Sequence, residues 1–524
     1  MISLPVSVSS RSAQGLTRRV AALSTVAALS LAPAAHAGSD DRPRTITVNA
    51  REATAKCPLE CVLRATVARA KPGQTVPVPA GLYALTAPIL VPANVTLLGD
   101  TTVRDATHDG LGAPTTSRDL TILEGAGIHD TWAGPGFDDR AQGRIIIASK
   151  PGIVIRGFTF QNSDPNLVKN AIFSESGQVV VDGNAIGTAK GNNFWRGLWF
   201  FNGADAEVTN NLVSTQVSLP LDPNDPSSVG DDGTAAFSFE ACVSTDGGPQ
   251  PGPFSSRVLV SGNTTRGNTR YGVRLFASGD NAPGTGGCHL TATILGNDFT
   301  GGEPSPGNPR GTGIQLSGGV SFFGSGATGN MVSALLMQNH IRHWGFGILG
   351  WAAIQGFDDF SGGTGVVGNK LDVTTAANRV SDCSDTAIGF TAAISSLGPA
   401  SGNETRVLML GDEMDQTGAA WFGLLGLIPL NGFDASGTGN HMQATLLGLD
   451  LDGTAVNGAT TDPFGVPCSQ SYSSACHSTV LEAAPAGDTG GNTATCRGPQ
   501  CPPLFVAHQR QVANAAMPWG PGAS

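Results

Sequence analysis

Residues 179–188 read VVVDGNAIGT: three valines, an Asp-Gly-Asn turn and a second short apolar pair. The same order of residues returns at 258–267 (VLVSGNTTRG), 291–300 (TATILGNDFT) and 334–343 (ALLMQNHIRH). β-Branched residues favour strands, whereas glycine and asparagine favour turns. The chain therefore repeats one unit, a short strand followed by an asparagine turn.

This unit can be followed along most of the chain. Each copy is followed, after a loop of variable length, by a second short strand that often begins with small residues. No helical period separates the strands, which argues against leucine-rich and tetratricopeptide repeats. A unit of this size cannot bury an apolar face alone, so the units must stack and share one core. The asparagine or aspartate that ends each copy is found at positions 162, 184, 211, 263, 297, 339, 378, 412 and 450.

Stacked units of this kind predict an all-β solenoid. Parallel strands of successive coils hydrogen-bond at about 4.8 Å, and alternate side chains point inward. An asparagine at the same corner of every coil can bond its amide to the coils above and below, so the asparagines form a ladder. A β-sandwich or a propeller also uses many short strands. The irregular spacing and the lack of Trp-Asp or Gly-His signatures count against a propeller.

The N-terminal part adds a helical pattern and a strand motif. Within residues 57–70 (CPLECVLRATVARA), Leu59, Val62, Leu63, Val67 and Ala70 follow a helical period. Residues 79–85 then read PAGLYAL. With these features, residues 45–455 resemble the right-handed parallel β-helix proteins of the pectate-lyase-like superfamily. In that superfamily a short amphipathic helix covers the N-terminal end of the core and a PAG-x-Y-x-L strand pair begins the first coil. The resemblance implies an all-β, right-handed parallel β-helix with a short N-terminal capping helix.

The two ends of the chain differ from this central part. Arg18 and Arg19, an apolar run and the segment Ala35-His36-Ala37 form the pattern of a signal peptide over residues 1–37. We therefore expect an exported protein, secreted or periplasmic, with no integral membrane segment in the mature chain. The β-helix and its cap are expected over 38–455, and a Cys-containing, low-complexity C-terminal tail over 456–524.

Cysteine usage also fits an oxidising compartment. Three pairs of the nine cysteines lie close in sequence, and three cysteines remain, so at least one is unpaired if every bridge is internal. Histidines do not occur near these thiols at zinc-like spacings, so disulfides are favoured over a metal site. The close pairs are Cys57 and Cys61, Cys468 and Cys476, and Cys496 and Cys501, and the others are Cys242, Cys288 and Cys383.

The charge balance limits the possible partners. A net charge of −11 argues against a nucleic-acid partner, which requires a basic surface. Binding of a polyanion would need a bound cation or a local basic patch. A polysaccharide is the partner that an extended solenoid face suits best.

The second strands of successive coils define a candidate site. With Val273 and Leu275 taken as inward, alternation places two rows of side chains on the outer face. One row contains Phe173, Trp199, Ser238, Arg274, Gln315, Gly347, Gly389 and Phe422, and the other contains Glu175, Phe201, Glu240, Phe276, Ser317 and Thr391.

These rows combine aromatic side chains, which stack on sugar rings, with carboxylates, a guanidinium and an amide. Two carboxylates that lie two coils apart are separated by about 9.5 Å, near the upper limit for an inverting glycosidase pair. The alternative interpretation is an exposed Glu240–Arg274 ion pair among ordinary surface aromatics. The predicted catalytic residues are Glu240, Arg274 and Glu175, and the predicted substrate-binding residues are Trp199, Phe201 and Gln315.

Three further sets of residues are weaker candidates. His340 and His343 flank a turn and could supply a general base. Asp and Asn residues at 221–226, 229–233 and 449–453 have spacings that could hold Ca²⁺, although they are equally good turn sequences. Loops that carry Asp138, Asp139 and Arg140, or Asp358 and Asp359, could overhang the outer face.

The chain lacks the catalytic segments of pectate lyases and polygalacturonases. Pectate lyases carry Asp-His and Arg-x-Pro-x-x-Arg segments, and polygalacturonases carry Asn-Thr-Asp, Asp-Asp and Gly-His-Gly segments; neither set is present here. Family catalytic residues therefore cannot be assigned to positions of this chain. The first hypothesis is an exported enzyme that acts on a polysaccharide by lyase or glycoside hydrolase chemistry. The second is a non-catalytic, adhesin-like solenoid that binds glycan or protein.

Overall fold

The computed structural model describes most of the chain between Thr45 and Phe505. The described residues are 45–101, 120–129, 143–164, 169–188, 191–214, 220–222, 225–229, 234–243, 252–267, 270–278, 285–301, 311–321, 326–355, 365–384, 386–395, 400–417, 420–429, 437–454, 479–482, 491–501 and 504–505. The predicted signal peptide, residues 1–37, lies outside them.

Three long parallel sheets run the length of the molecule, and we call them sheets I, II and III. Each turn of the chain passes through sheet I, an asparagine turn, sheet II and then sheet III, and each strand pairs with the equivalent strand of the next turn. This is the topology of a parallel β-helix, so the prediction of an all-β, right-handed parallel β-helix is confirmed.

The strands, given in their order within each sheet, are as follows. Sheet I contains Thr75–Val78, Thr96–Gly99, Ile153–Arg156, Gln178–Asp182, Asp205–Thr209, Ser255–Ser261, His289–Leu295, Met331–Met337, Lys370–Ala376, Glu404–Leu410, His441–Leu447 and Thr493–Arg497. Sheet II contains Gly81–Ala84, Thr121–Glu124, Thr159–Gln161, Ala185–Ile186, Leu212–Ser214, Thr264–Arg266, Asp298–Thr300, His340–Arg342, Arg379–Ser381, Glu413–Thr417 and Asp450–Thr454. Sheet III contains Ile89–Leu90, Gly143–Ile147, Lys169–Glu175, Phe194–Phe201, Ala235–Cys242, Tyr271–Ser278, Thr312–Ser321, Phe346–Gln355, Thr386–Ser395, Ala420–Pro429, Thr479–Glu482 and Leu504–Phe505.

Two smaller elements complete the strand set. A fourth parallel sheet contains the two-residue strands Thr285–Gly286, Ala327–Thr328, Val366–Val367, Ala400–Ser401 and Gly437–Thr438. An antiparallel hairpin pairs Pro220–Asp222 with Asp225–Val229.

The predicted capping helix is present. An α-helix spans Leu59–Arg69, and a 3₁₀-helix, Ala50–Glu52, precedes it. The apolar face of the α-helix buries Val62, Leu63 and Val67 in the same hydrophobic core as the inward side chains of the three long sheets. The helix therefore covers apolar surface at the first coil that would otherwise face water.

A ladder of side chains joins seven successive coils at the turn between sheets I and II. Its members are Asn184, Asn211, Asn263, Asn297, Asn339, Asn378 and Asp412. In each asparagine the side-chain amide donates to the oxygen of the next member, at 2.8–3.0 Å, and to a backbone carbonyl of the preceding coil. The predicted ladder exists, but two of its predicted members do not belong to it.

Asn162 and Asp450 are those two exceptions. On the coil before Asn184, Phe158 occupies the ladder position, because its backbone N–H donates to the Asn184 side chain. Leu449 occupies the position after Asp412, and Gln500 bonds to both the N–H and the carbonyl of Leu449. A longer side chain from the C-terminal segment thus replaces the ladder amide at this end.

A second ladder, which the sequence analysis did not identify, lies at the turn that leads into sheet I. It runs through Asn330, Asn369, Asn403, Asn440 and Asn492, with amide-to-amide distances of 2.8–3.1 Å. Each of these residues follows a glycine, as in the first ladder's Gly-Asn turns. The signal was therefore present in the sequence and was overlooked.

Disulfides lie at both ends of the solenoid and near its middle. Cys57 bonds to Cys61, Cys242 to Cys288, and Cys496 to Cys501, and Cys383 is buried in the core. Cys468 and Cys476 lie outside the described residues. The backbone N–H of Cys288 donates to Asn330, so this disulfide stands at the start of the second ladder.

The β-helix continues beyond residue 455, where the sequence analysis placed its end. In the described part of the C-terminal segment, Thr493–Arg497 extends sheet I, and Thr479–Glu482 and Leu504–Phe505 extend sheet III. Its low complexity concealed these strands. Among the described residues, no helix is long and apolar enough to cross a membrane.

The carboxyl group of Asp412 makes ladder stability dependent on pH. Burial raises its pKa to about 6, despite hydrogen bonds from Thr375 and Asn378. Because the folded pKa exceeds the unfolded value of about 3.9, this group destabilises the fold increasingly as pH rises from about 4 to 6. We expect Asp412→Asn to raise the free energy of unfolding at pH 7.5 by at most about 3 kcal/mol, and so to raise the melting temperature. At pH 4 the substitution should have little effect.

Thermal unfolding of both proteins between pH 4 and 8 measures this difference. Asp450→Asn, a change at an exposed aspartate one residue after the ladder position, is the matched control. A stability difference between Asp412→Asn and wild type that stays constant across this pH range would contradict the assignment.

Candidate functional site

The candidate site occupies the outer face of sheet III, where side chains of successive coils form three rows. The start row runs Arg144, Asn170, Arg196, Ala235, Tyr271, Thr312, Phe346 and Thr386. The central row runs Phe173, Trp199, Ser238, Arg274, Gln315, Leu349, Gly389 and Gly423. The end row runs Glu175, Phe201, Glu240, Phe276, Ser317, Trp351 and Thr391.

The first five members of the predicted central row and all six members of the predicted end row lie in these rows. Gly347 and Phe422 are wrong, because Leu349 and Gly423 take their places. The cause lies in a close approach between coils. A Cβ atom on Gly272 would lie 2.5 Å from the carbonyl oxygen of Gly313, and one on Gly347 would lie 2.6 Å from that of Ala387. A small residue is therefore required at this position of each coil. In the segment 344–349 the second glycine occupies this position, and the first does not.

The outer face of sheet III is buried rather than open to solvent. Trp199 is 0% exposed, Glu240 and Arg274 are each 2% exposed, and Phe201 and Gln315 are equally buried. Only Glu175, among the predicted site residues, is partly exposed. The alternative of an exposed Glu240–Arg274 pair is wrong for the same reason. Alternation along a strand distinguishes inward from outward side chains. It does not show whether other residues bury the outer face.

An ion network at the centre of this face joins three coils. Glu240 Oε1 accepts a hydrogen bond from Arg196 Nη1 at 2.6 Å and one from Ser238 Oγ at 2.9 Å. Arg274 Nη1 lies 3.7 Å from the same oxygen. Both arginines are buried, so the single carboxylate is positioned between two guanidinium groups of the coils before and after it.

This environment fixes the charge of Glu240. Burial of the carboxyl group opposes its ionisation, but the positive charges of Arg196 and Arg274 and the hydrogen bond from Ser238 outweigh that effect. The pKa of Glu240 therefore lies below its ordinary value. The carboxylate is ionised at neutral pH and acts as a hydrogen-bond acceptor.

Aromatic rings enclose the network. The guanidinium carbon of Arg196 lies 4.2 Å from the ring centroid of Trp195 and 4.1 Å from that of Trp199. That of Arg274 lies 4.1 Å from the ring of Phe276. Guanidinium groups stack favourably on such faces, most strongly on tryptophan. The sequence analysis missed Arg196 and Trp195, which lie at an irregularity in the strand pairing between Phe194 and Arg196.

Glu175 lies apart from this network. It occupies the end row two coils before Glu240, with Phe201 between them. Its Oε1 atom accepts a hydrogen bond from Asn202 at 3.1 Å. The register therefore places the two carboxylates about 9.5 Å apart along the solenoid, and Glu175 is three coils, or about 14 Å, from Arg274.

The weaker candidates are not part of this site. His340 lies on sheet II, where its Nδ1 atom is 3.7 Å from Asp298, and burial together with nearby arginines lowers its pKa. His343 lies in the following turn with a φ of 60°. The aspartates at 138, 139, 358 and 359, Arg140 and residues 230–233 are outside the described residues. No group of three or more His, Cys, Asp or Glu side chains suited to a metal occurs in the described part of the chain.

Comparisons with known proteins identify relatives in fold only. No protein-family model and no curated protein matches this chain. The A-module of the mannuronan C-5 epimerase AlgE4 of Azotobacter vinelandii is 12% identical, with 75% of this chain and 91% of that chain covered and a TM-score of 0.35. An endo-xylogalacturonan hydrolase from Aspergillus tubingensis is 11% identical, with 87% and 99% covered and a TM-score of 0.36. PfbA, a surface adhesin of Streptococcus pneumoniae, is 11% identical, with 79% and 93% covered and a TM-score of 0.33. Similarity at this level assigns no activity to this chain.

The ion network predicts a large, pH-dependent effect of one isosteric change. Glu240→Gln leaves Arg196 and Arg274 buried without their shared carboxylate, which typically costs 3–5 kcal/mol. Because the folded pKa of Glu240 lies below the unfolded value, its contribution is present above about pH 4.3 and is lost as pH falls through the folded pKa. The stability difference from wild type should therefore be greatest at neutral pH and shrink in acid.

Chemical denaturation between pH 3 and 7 tests this expectation. Glu175→Gln is the matched control, since that partly exposed carboxylate accepts one amide hydrogen bond, which glutamine can also accept. A Glu240→Gln protein as stable as wild type at pH 7 would show that the network does not hold this face together.

Proposed function

We propose that this chain is an exported β-helix protein that acts on an acidic polysaccharide at the outer face of sheet III. The observation that carries the proposal is the buried Arg196–Glu240–Arg274 network with its aromatic walls. Guanidinium groups recognise carboxylates with two parallel hydrogen bonds, and aromatic faces stack on sugar rings. The disulfides support export to an oxidising compartment.

The distribution of buried cations supports an acidic substrate. Among the described residues, every buried lysine or arginine lies in sheet III or directly before one of its strands: Lys169, Arg196, Arg270 and Arg274. The whole chain has a net charge of −11. This face is thus the local basic patch that binding of a polyanion requires in an acidic protein.

Lyase chemistry fits the network better than hydrolysis does. Glycoside hydrolysis needs a protonated carboxylic acid beside the leaving oxygen, whereas Glu240 has a lowered pKa and is bound to Arg196. In a lyase, a guanidinium neutralises the carboxylate of the uronate, so the adjacent proton can be removed. Arg274 would have this role, and Glu240 would orient it.

The general base of such a lyase is not Glu175. A base must lie within hydrogen-bond reach of the proton that it removes, and Glu175 lies three coils from Arg274. The observation that neither predicted carboxylate fits an acid or base role favours a second candidate function. In this alternative, the same face binds an acidic glycan without cleaving it, as an adhesin-like solenoid would.

We expect purified mature protein to release unsaturated uronate products from at least one acidic polysaccharide and to leave neutral ones intact. Polygalacturonate, alginate and neutral glucans are suitable probes, each with and without Ca²⁺. Reducing ends and the absorbance of unsaturated uronates measure cleavage, and intrinsic tryptophan fluorescence, to which Trp195 and Trp199 contribute, measures binding.

The matched variants are Arg274→Ala and Arg257→Ala. The first removes the proposed carboxylate ligand, and we expect at least a 100-fold loss of cleavage or binding. The second removes an exposed arginine of sheet I that pairs with Asp205 and should have no effect. Binding without product would establish the second candidate, whereas reducing ends without unsaturation would establish a hydrolase. Neither binding nor product with any acidic polymer would contradict the proposal.

A further inference from the structure

A second group of polar side chains lies on the outer face of sheet III, on the first coil of the ion network and on the coil before it. Asn170 stands in the start row beside Arg196, and Trp195 is the extra residue at the irregularity between Phe194 and Arg196. Both side chains are buried. Trp195 belongs to the aromatic cluster of this face, with its ring 5.2 Å from that of Trp199.

These side chains carry polar atoms that have no hydrogen-bond partner within the described structure. They are both amide atoms of Asn170, the indole Nε1 of Trp195 and the Oδ1 atom of Asn193. Asn193 is buried and precedes Trp195 by two residues, and its amide nitrogen donates to the carbonyl of Asp164 at 2.9 Å. A buried polar atom without a partner destabilises the fold, so folded proteins leave few of them.

The chemistry of the unpartnered atoms is balanced. Asn170 offers one donor atom and one acceptor atom in either orientation of its amide, Nε1 of Trp195 is a second donor atom, and Oδ1 of Asn193 is a second acceptor atom. Each sugar hydroxyl can donate one hydrogen bond and accept another. Two donors and two acceptors therefore match two hydroxyl groups, and the indole provides an apolar wall beside them.

We infer that Asn170, Asn193 and Trp195 form a neutral subsite that binds two neighbouring hydroxyl groups of a sugar ring. This inference rests on the proposed function, because it places the subsite directly beside Arg196, one of the guanidinium groups that would hold the acidic ring. The subsite selects against polymers whose hydroxyls are esterified, since an O-acetyl group cannot donate and would leave the buried acceptors unpaired.

Paired polymers and conservative variants test the subsite. The probes are an acidic polysaccharide that binds wild type and the same polymer after O-acetylation. We expect wild type to prefer the unmodified polymer by at least 10-fold. Trp195→Phe, which removes the N–H but keeps an aromatic ring, and Asn170→Ala should each weaken binding of the unmodified polymer by about 3- to 10-fold and reduce the preference.

Trp344→Phe is the matched control, since Trp344 is a buried tryptophan of the hydrophobic core, away from the outer face, and its N–H already donates to the carbonyl of Phe299. The melting temperature of each variant establishes that it is folded. Loss of polymer binding in Arg274→Ala, with unchanged affinity and preference in both Trp195→Phe and Asn170→Ala, would overturn the subsite and leave the proposed function standing. Absence of polymer binding in wild type would overturn both.

Discussion

The structure depends on hydrogen bonds between equivalent residues of successive coils. Backbone bonds of parallel strands set the spacing, but they would tolerate a slip of register. The amides of the first ladder, from Asn184 to Asn378, each bond to the coil before and the coil after, so every coil must present its asparagine at the same corner. A coil shifted by one residue would bury two unpartnered amide groups and turn its inward side chains outward. The two ladders therefore fix register from the coil of Asn184 to the coil of Asn492.

The fixed register determines which side chains meet on the outer face of sheet III. Arg196, Glu240 and Arg274 are separated by tens of residues in the chain, yet successive coils bring both guanidinium groups within ion-pair distance of the carboxylate. The face is more enclosed than a simple groove, because aromatic rings cover both guanidinium groups. In this low-dielectric setting, charge-assisted hydrogen bonds are strong, and any sugar that replaces the present packing must offer equivalent polar groups. Enclosure and polarity together favour a selective site.

The sequence revealed the solenoid and most of its register, but not the site's environment. Repeated strand-asparagine units and the period of Val62, Leu63 and Val67 identify the β-helix and its cap, since both patterns follow from local geometry. Alignment failed at Gly347, where two glycines competed for one crowded position. The partner of Glu240 was missed because Arg196 follows an irregular pairing that alternation cannot describe. Burial of the face depends on contacts between coils, which no pattern within one strand encodes.

The proposed functional surface is the outer face of sheet III, rather than sheet I or II. Hydrogen exchange of the wild-type protein with and without an acidic oligosaccharide tests it most directly. The account predicts that exchange changes in Phe194–Phe201, Ala235–Cys242 and Tyr271–Ser278, and stays constant in the sheet I strands that join the same coils. A change confined to sheet I or to the His340 region of sheet II, with sheet III unaffected, would contradict it.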